Sequence, residues 1–171
     1  MILTEKHYIS KRKNPDLYSK IDDYCYKAKN LRNATNYIIK QCSRISYKLK
    51  CGEILESFEK SFIKNINEAI YAGGKKQRYI DNRNGYISNR FFLIPYMKES
   101  KEYKAMPYSV CSQKVIEHLC SDWQAFYEAM KEYKRSPKKF KAKPEPPNYY
   151  DKEYGREWIT LTYQQLEIKE G

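Results

Sequence analysis

The sequence predicts an α+β fold, a mostly helical bundle inserted between two terminal strands. Three patterns carry this expectation. Residues 2–10 and 157–171 alternate apolar and polar positions, the first stretch imperfectly. The middle of the chain repeats its apolar residues at steps of three and four. Clusters of Gly, Asn and Pro cut that middle into separate helical stretches.

Taken in order, residues 2–10 read as a strand, and Lys11 to Pro15 as a basic turn. Asn14 suits a helix cap and Pro15 the first helical turn. From Asp16, one apolar stripe runs through Leu17, Ile21, Cys25, Ala28, Leu31, Thr35 and Ile38 and predicts a helix to about Lys48. Lys20, Lys27, Lys29, Arg32, Lys40 and Arg44 fall on the opposite side. Asn30, Asn33 and Asn36 are mediocre helix formers, so their amides are expected to make specific contacts. Cys51–Gly52 ends the pattern. Ile54, Leu55, Phe58, Phe62, Ile66 and Ile70 predict a second helix that stops at Gly73–Gly74. A basic Gly/Asn-rich loop follows from Lys75 to Gly85. A third helix is expected over Ile87 to Glu99, shortened or kinked at Pro95. The fourth begins after Met106–Pro107 with Ser109 as its candidate cap. It carries Val115, Leu119, Trp123, Phe126 and Met130 on its apolar side and ends at Ser136–Pro137. A lone strand needs partners, so the two chain ends are expected to pair with each other.

A chain of 171 residues fits one domain. Its net charge of +12 bears on partners: a polyanion is expected, nucleic acid first and an anionic membrane surface second. No apolar run reaches eighteen residues, so no spanning helix is expected. Glu5 and Lys6 interrupt the stretch where a signal peptide would be apolar, which points to an intracellular protein. The five cysteines (Cys25, Cys42, Cys51, Cys111 and Cys120) form no CxxC pair and read as buried or half-buried free thiols. His7 and His118 lie far apart, and His118 falls on an apolar helix face. There is no Gly-rich phosphate loop, and no carboxylate sits in an apolar strand frame. No catalytic centre is therefore expected in this chain.

The densest signal is the segment from Lys131 to Lys143. It holds Lys131, Lys134, Arg135, Lys138, Lys139, Lys141 and Lys143 against one acid, Glu132. Such cations displace counterions from phosphates and supply sequence-independent affinity. Pro137, Pro144, Pro146 and Pro147 stiffen the segment, so less entropy is lost on docking. Phe140 and Tyr149 offer rings for packing or base stacking. On the first helix, Lys29, Asn30, Arg32 and Asn33 form a polar flank that suits an RNA backbone with its 2′-hydroxyls.

Several of these segments together resemble the N-terminal region of the TnpB family, the insertion-sequence OrfB "transposases" related to type V CRISPR effector nucleases. The matching residues are Asn14 to Tyr18 and the AKNLRNATNYIIKQ run from Ala28 to Gln41. Next come Met106–Pro107, Ser109, Gln113, Trp123 and Phe126. The basic loop follows with Pro137, Phe140, Pro144, Pro147 and Tyr149, and last comes Leu161 to Ile168. Arg32 and Ala142 depart from the family's Tyr and Gly. The resemblance implies a helical recognition insertion (14–134) in a split β-barrel wedge domain. Residues 1–13 would be one wedge strand, and residues 135–171 the basic loop and return strand of an incomplete barrel. It implies guide RNA and double-stranded target DNA as partners, in the prokaryotic cytoplasm at the nucleoid. Gln113 would read a base edge from the helix, with Ser109 one turn earlier. Thr162 and Tyr163 would contact the same duplex, with Asn89 or Tyr86 nearby. The family's RuvC nuclease half, where Mg and Zn are expected, has no counterpart here. Either the chain is a truncated form or fragment, or a separate RuvC-containing chain supplies cleavage. A non-catalytic regulatory or protein-interaction remnant is the remaining alternative.

Overall fold

A computed structural model describes residues 8–73 and 77–162. Five α-helices follow in order: α1 (Pro15–Lys50), α2 (Ser57–Ala72), α3 (Arg90–Met97), α4 (Lys101–Lys104) and α5 (Ser109–Arg135). A 3₁₀ turn at Pro137–Lys139 closes the helical part.

The two long helices form the frame. α1 packs along α5, with α2 and α4 against α1 and α3 against α5. Leu31, Ile39, Cys42, Ile66, Ile87, Leu93, Ile116, Leu119 and Trp123 meet in one buried cluster. Each fully buried Ile or Leu contributes about 2 kcal/mol of burial energy. The buried face of α1 begins only at Ala28; Leu17, expected in the stripe, is exposed.

Among the described residues no strand or sheet forms, which overturns the α+β expectation and the wedge barrel with it. The first expected strand lies mostly outside the described residues, and residues 8–10 are irregular. At the other end, residues 157–162 are extended but unpaired with any strand. The two-residue period there is real: Ile159 and Leu161 pack on the core, while Trp158 is exposed. An extended chain alternates its side chains whether or not a neighbouring strand exists. Here helices, rather than a strand, meet its backbone. The Glu157 N–H donates to the Cys25 carbonyl (3.1 Å), and the Cys111 thiol donates to the Thr160 carbonyl (3.2 Å).

Local chemistry accounts for the helix ends. Asn14 takes the cap position before Pro15, and its carbonyl accepts from the Tyr18 N–H (2.9 Å). Ser109 is the first residue of α5, after the cap residue Tyr108. The third helix is shorter than expected because Asn89 caps it, its side chain accepting from the Phe91 N–H (3.0 Å). Ser100 then caps the short α4, which the periodicity did not predict; its hydroxyl accepts from the Tyr103 N–H (3.2 Å). Gly85 lets the loop touch α1: a Cβ there would lie 2.8 Å from Ser46 Cβ and 2.9 Å from Ser43 Cα.

α2 is held to α1 by one buried carboxylate. Glu59 accepts from Arg44 and Lys48, each at 2.7 Å, and from the Glu56 N–H at 3.1 Å. The Lys48 bond, then the Arg44 bond, pull its pKa from 4.5 down to about 2. A depressed carboxylate stabilises the fold above its unfolded pKa, and that contribution is lost as pH falls through the folded value. Glu59→Gln therefore lowers Tm at pH 7, and its deficit against the parent shrinks as pH falls from 4.5 toward about 2. Thermal unfolding followed across that range measures it. A deficit constant with pH would contradict the assignment.

Candidate nucleic-acid interface

The basic segment stands at the C-terminal end of α5. Lys131, Lys134, Arg135, Lys138, Lys139, Lys141 and Lys143 are all exposed. Among the described residues, only Lys139 has a carboxylate within ion-pair distance, Glu132 at 2.9 Å. Phe140 packs edge-on against Tyr133, with ring centres 5.7 Å apart, which ties the 3₁₀ turn back onto α5. The cations thus extend from a helix end and a pinned turn, and six of the seven have no acidic partner among the described residues.

The polar flank expected on α1 points elsewhere. The Lys29 ammonium is buried over the Tyr26 ring (4.0 Å) and donates to the Lys152 carbonyl (2.6 Å). Asn33 holds Tyr150 at both backbone groups, donating to its carbonyl (2.9 Å) and accepting from its N–H (3.0 Å). Asn36 donates to the Pro147 carbonyl (3.0 Å) and accepts from the Trp123 indole N–H (2.9 Å). Arg32 sits 2.7 Å from Asp122 and 3.1 Å from Glu157, with its guanidinium over the Tyr150 ring. These residues lie three or four positions apart on one face of α1. They pin residues 147–157 antiparallel to the helix. In this fold the polar ends of Lys29, Arg32 and Asn33 are engaged as internal staples of the strap. A strap with no strand partner must find its hydrogen bonds somewhere: α1 supplies some, and Asp151 supplies those of the turn at 152–154 by accepting from the Glu153 and Tyr154 N–H groups. Asn30 lines a shallow groove toward α4, beside Lys101 and Glu102.

Glu157 is the strap's most buried acid. Burial raises its pKa, and Arg32 opposes that shift. The Arg32 contact is a close ion pair without an aligned hydrogen bond.

The remaining expected contacts are dispersed. Tyr149 is 45% exposed and carries the Lys40 ammonium over its ring at 4.5 Å. Ser109 is exposed at the start of α5. Gln113, half-buried one turn on, lines a hollow with Arg90, Phe91, Ile94 and Glu117. Thr162 is half-buried. Tyr163 lies outside the described residues. The structure does not bring Gln113 and the basic segment to one end of α5: they stand at its opposite ends.

Two concavities flank the 82–86 loop, and Asn84 and Tyr86 wall both. One, of about 600 Å³, lies between α1, the loop and α5 and is lined by Lys40, Lys50, Arg83, Phe126, Tyr127 and Pro146. Its rings include the Tyr86–Tyr127 pair, 4.8 Å between centres. The other, of about 720 Å³, is polar and lies between the loop, α3 and α5. The signal for both was the basic Asn/Gly-rich loop. Nothing in it said which helices the loop would cover.

The thiols are all free. Cys42 and Cys120 are buried, and burial pushes both pKa values up to about 12. Cys51 is exposed, contrary to the expectation of burial. No helix of the described residues is long and apolar enough to cross a membrane. No protein-family model, curated protein or solved structure matches the chain.

Proposed function

We propose that this protein is a nucleic-acid-binding helical module whose main grip is the Lys131–Lys143 segment. The observation that carries this reading is the exposure of seven cations with a single acidic partner, Glu132, among the described residues. Unpaired cations repel one another, so the arrangement costs stability unless an anion shares the space. The Lys40–Tyr149 pair and the aromatic groove beside Pro146 add rings on which bases stack.

Guide RNA and double-stranded target DNA are the partners proposed from the resemblance. A separate nuclease chain is the proposed source of cleavage. That finer assignment rests on the sequence segments alone. Trp123, Asn33 and Asn36, which belong to those segments, have structural roles in the helix–strap contact.

Affinity for a short RNA or DNA should fall steeply with salt. Engagement of about six phosphates predicts a loss of roughly 10³-fold between 50 and 200 mM salt. Fluorescence anisotropy at several salt concentrations measures the slope. A loss of less than about tenfold would reject the phosphate grip.

A further inference from the structure

The polar cleft between the 77–89 loop, α3 and α5 is not needed for a backbone grip, yet it is built like a ligand site. It has the volume of a small-molecule pocket, about 720 Å³. Two of its wall atoms are buried without a hydrogen-bond partner: Ser88 Oγ and His118 Nδ1. Ser88 is 6% exposed. Buried polar atoms are nearly always paired, because leaving one unpaired costs free energy. Two in one cleft indicate hydrogen bonds that a ligand completes.

The other lining groups define the ligand's chemistry. Arg78 and Arg90 supply positive charge, and the Asn89 amide nitrogen and the Gln77 and Gln124 amide oxygens supply a donor and acceptors, while Asn84 is committed to the Arg78 and Tyr79 carbonyls and the Tyr86 N–H. Phe91, 62% exposed, presents its ring at the rim with the Arg90 guanidinium 4.8 Å from its centre. The one acid on the wall, Glu117, is occupied by Lys114 (2.8 Å) and Arg90 (3.3 Å). His118 is backed by the Trp158 ring, stacked with centres 3.7 Å apart. An aromatic rim, amides and two arginines match a base with its phosphate.

We infer that this cleft receives one unpaired nucleotide, its base against Phe91 and bonded to Ser88 and the amides, its phosphate toward Arg78 or Arg90. The inference deepens the proposed function and rests on it for the source of that nucleotide, a base turned out of a bound strand. Gln124 and Lys131 lie on one face of α5, seven residues or about 10 Å apart along its axis, so a strand held by the basic segment reaches the cleft. Glu128 stands between them and accepts from Gln124 (3.2 Å).

Calorimetric titration of the full chain with each of the four nucleoside 5′-monophosphates tests the cleft without requiring a strand. At least one should bind saturably and about tenfold tighter than inorganic phosphate. Phe91→Ala should weaken it about tenfold. Ser88→Ala should weaken it about fivefold while raising Tm by about 2 °C, since it removes an unpaired buried hydroxyl. A purely structural Ser88 would not move both readouts in opposite directions. No saturable binding of any monophosphate at about 10 mM, or inorganic phosphate binding equally well, overturns the inference. So does Ser88→Ala that leaves affinity unchanged. Monophosphate binding without strand binding keeps the cleft and rejects the basic-segment grip; strand binding without monophosphate binding does the reverse.

Discussion

Replacing Lys131, Lys134, Lys138 and Lys141 together by glutamine should weaken binding of a short single-stranded RNA about 10²-fold at roughly 0.15 M salt. Each lost phosphate contact removes about one unit or somewhat less from the slope of log affinity against log salt. The four substitutions should therefore flatten that slope by about three. Folding should barely change. The four side chains are exposed and have no acidic partner among the described residues, so their removal breaks no ion pair there and relieves mutual repulsion. Anisotropy titrations at matched salt, with thermal unfolding of the same samples, separate the two effects. If affinity fell less than about fivefold with Tm unchanged, the strand would have to be held elsewhere on the protein.

Arg32→Ala should be the most destabilising single change on α1. Arg32 is the cation between Asp122 and Glu157, and the Glu157 side chain is 1% exposed. Removing one partner of a buried pair leaves an uncompensated charge and costs about 3–5 kcal/mol. Much of that should return in the double variant Arg32→Ala/Glu157→Gln, which leaves no charge stranded. The pH dependence has a definite sign. Glu157 has a raised pKa because burial outweighs the opposing pull of Arg32. Its protonated form is favoured in the fold, so stability is fullest below the ordinary value of 4.5 and declines as pH rises through the elevated value. Without Arg32 the carboxylate is harder to ionise, so the deficit should be larger at pH 7.5 than near pH 4.5. Urea unfolding of the parent, both single variants and the double at the two pH values gives the coupling. Additive single effects would show that the pair does not act as a unit.

The same residue marks where sequence reading stops. The apolar period of α1 announced a long helix, and the helix is there from Pro15 to Lys50. The period sorts positions by hydropathy, so Lys29, Arg32 and Asn33 were sorted to the water side. Lys29 and Arg32 are buried and Asn33 half-buried because their polar ends reach carbonyls and carboxylates of residues 147–157, more than a hundred positions away. A polar side chain is buried when a partner meets it, and the partner's position is not encoded in the local period. The asparagines carried a hint: three poor helix formers in seven residues suggested that their amides were wanted. Two of them, Asn33 and Asn36, are wanted by the strap.

The terminal strands failed for a related reason. Alternation is a property of extended backbone, and it cannot tell a sheet from a strap laid across helices. Residues 157–162 alternate and bury Ile159 and Leu161 as a strand would, but helices α1 and α5 take the backbone contacts. Gln113 was placed on the correct helix. That α3 would stand opposite it, with Arg90 and Phe91 as its neighbours, was decided by helix packing and is not written in its local period.

The chain's sequence, taken alone, determined the four longer helices, the Trp123 core and the exposed cationic exit from α5, because period, volume and unpaired charge are written locally. Tertiary structure alone decided which cations are staples and which stand exposed, replaced the expected barrel by a strap, and opened the cleft with Ser88 Oγ and His118 Nδ1 without a hydrogen-bond partner in its wall. Those outcomes follow from partner positions across the fold, and a buried polar group is set by what it meets.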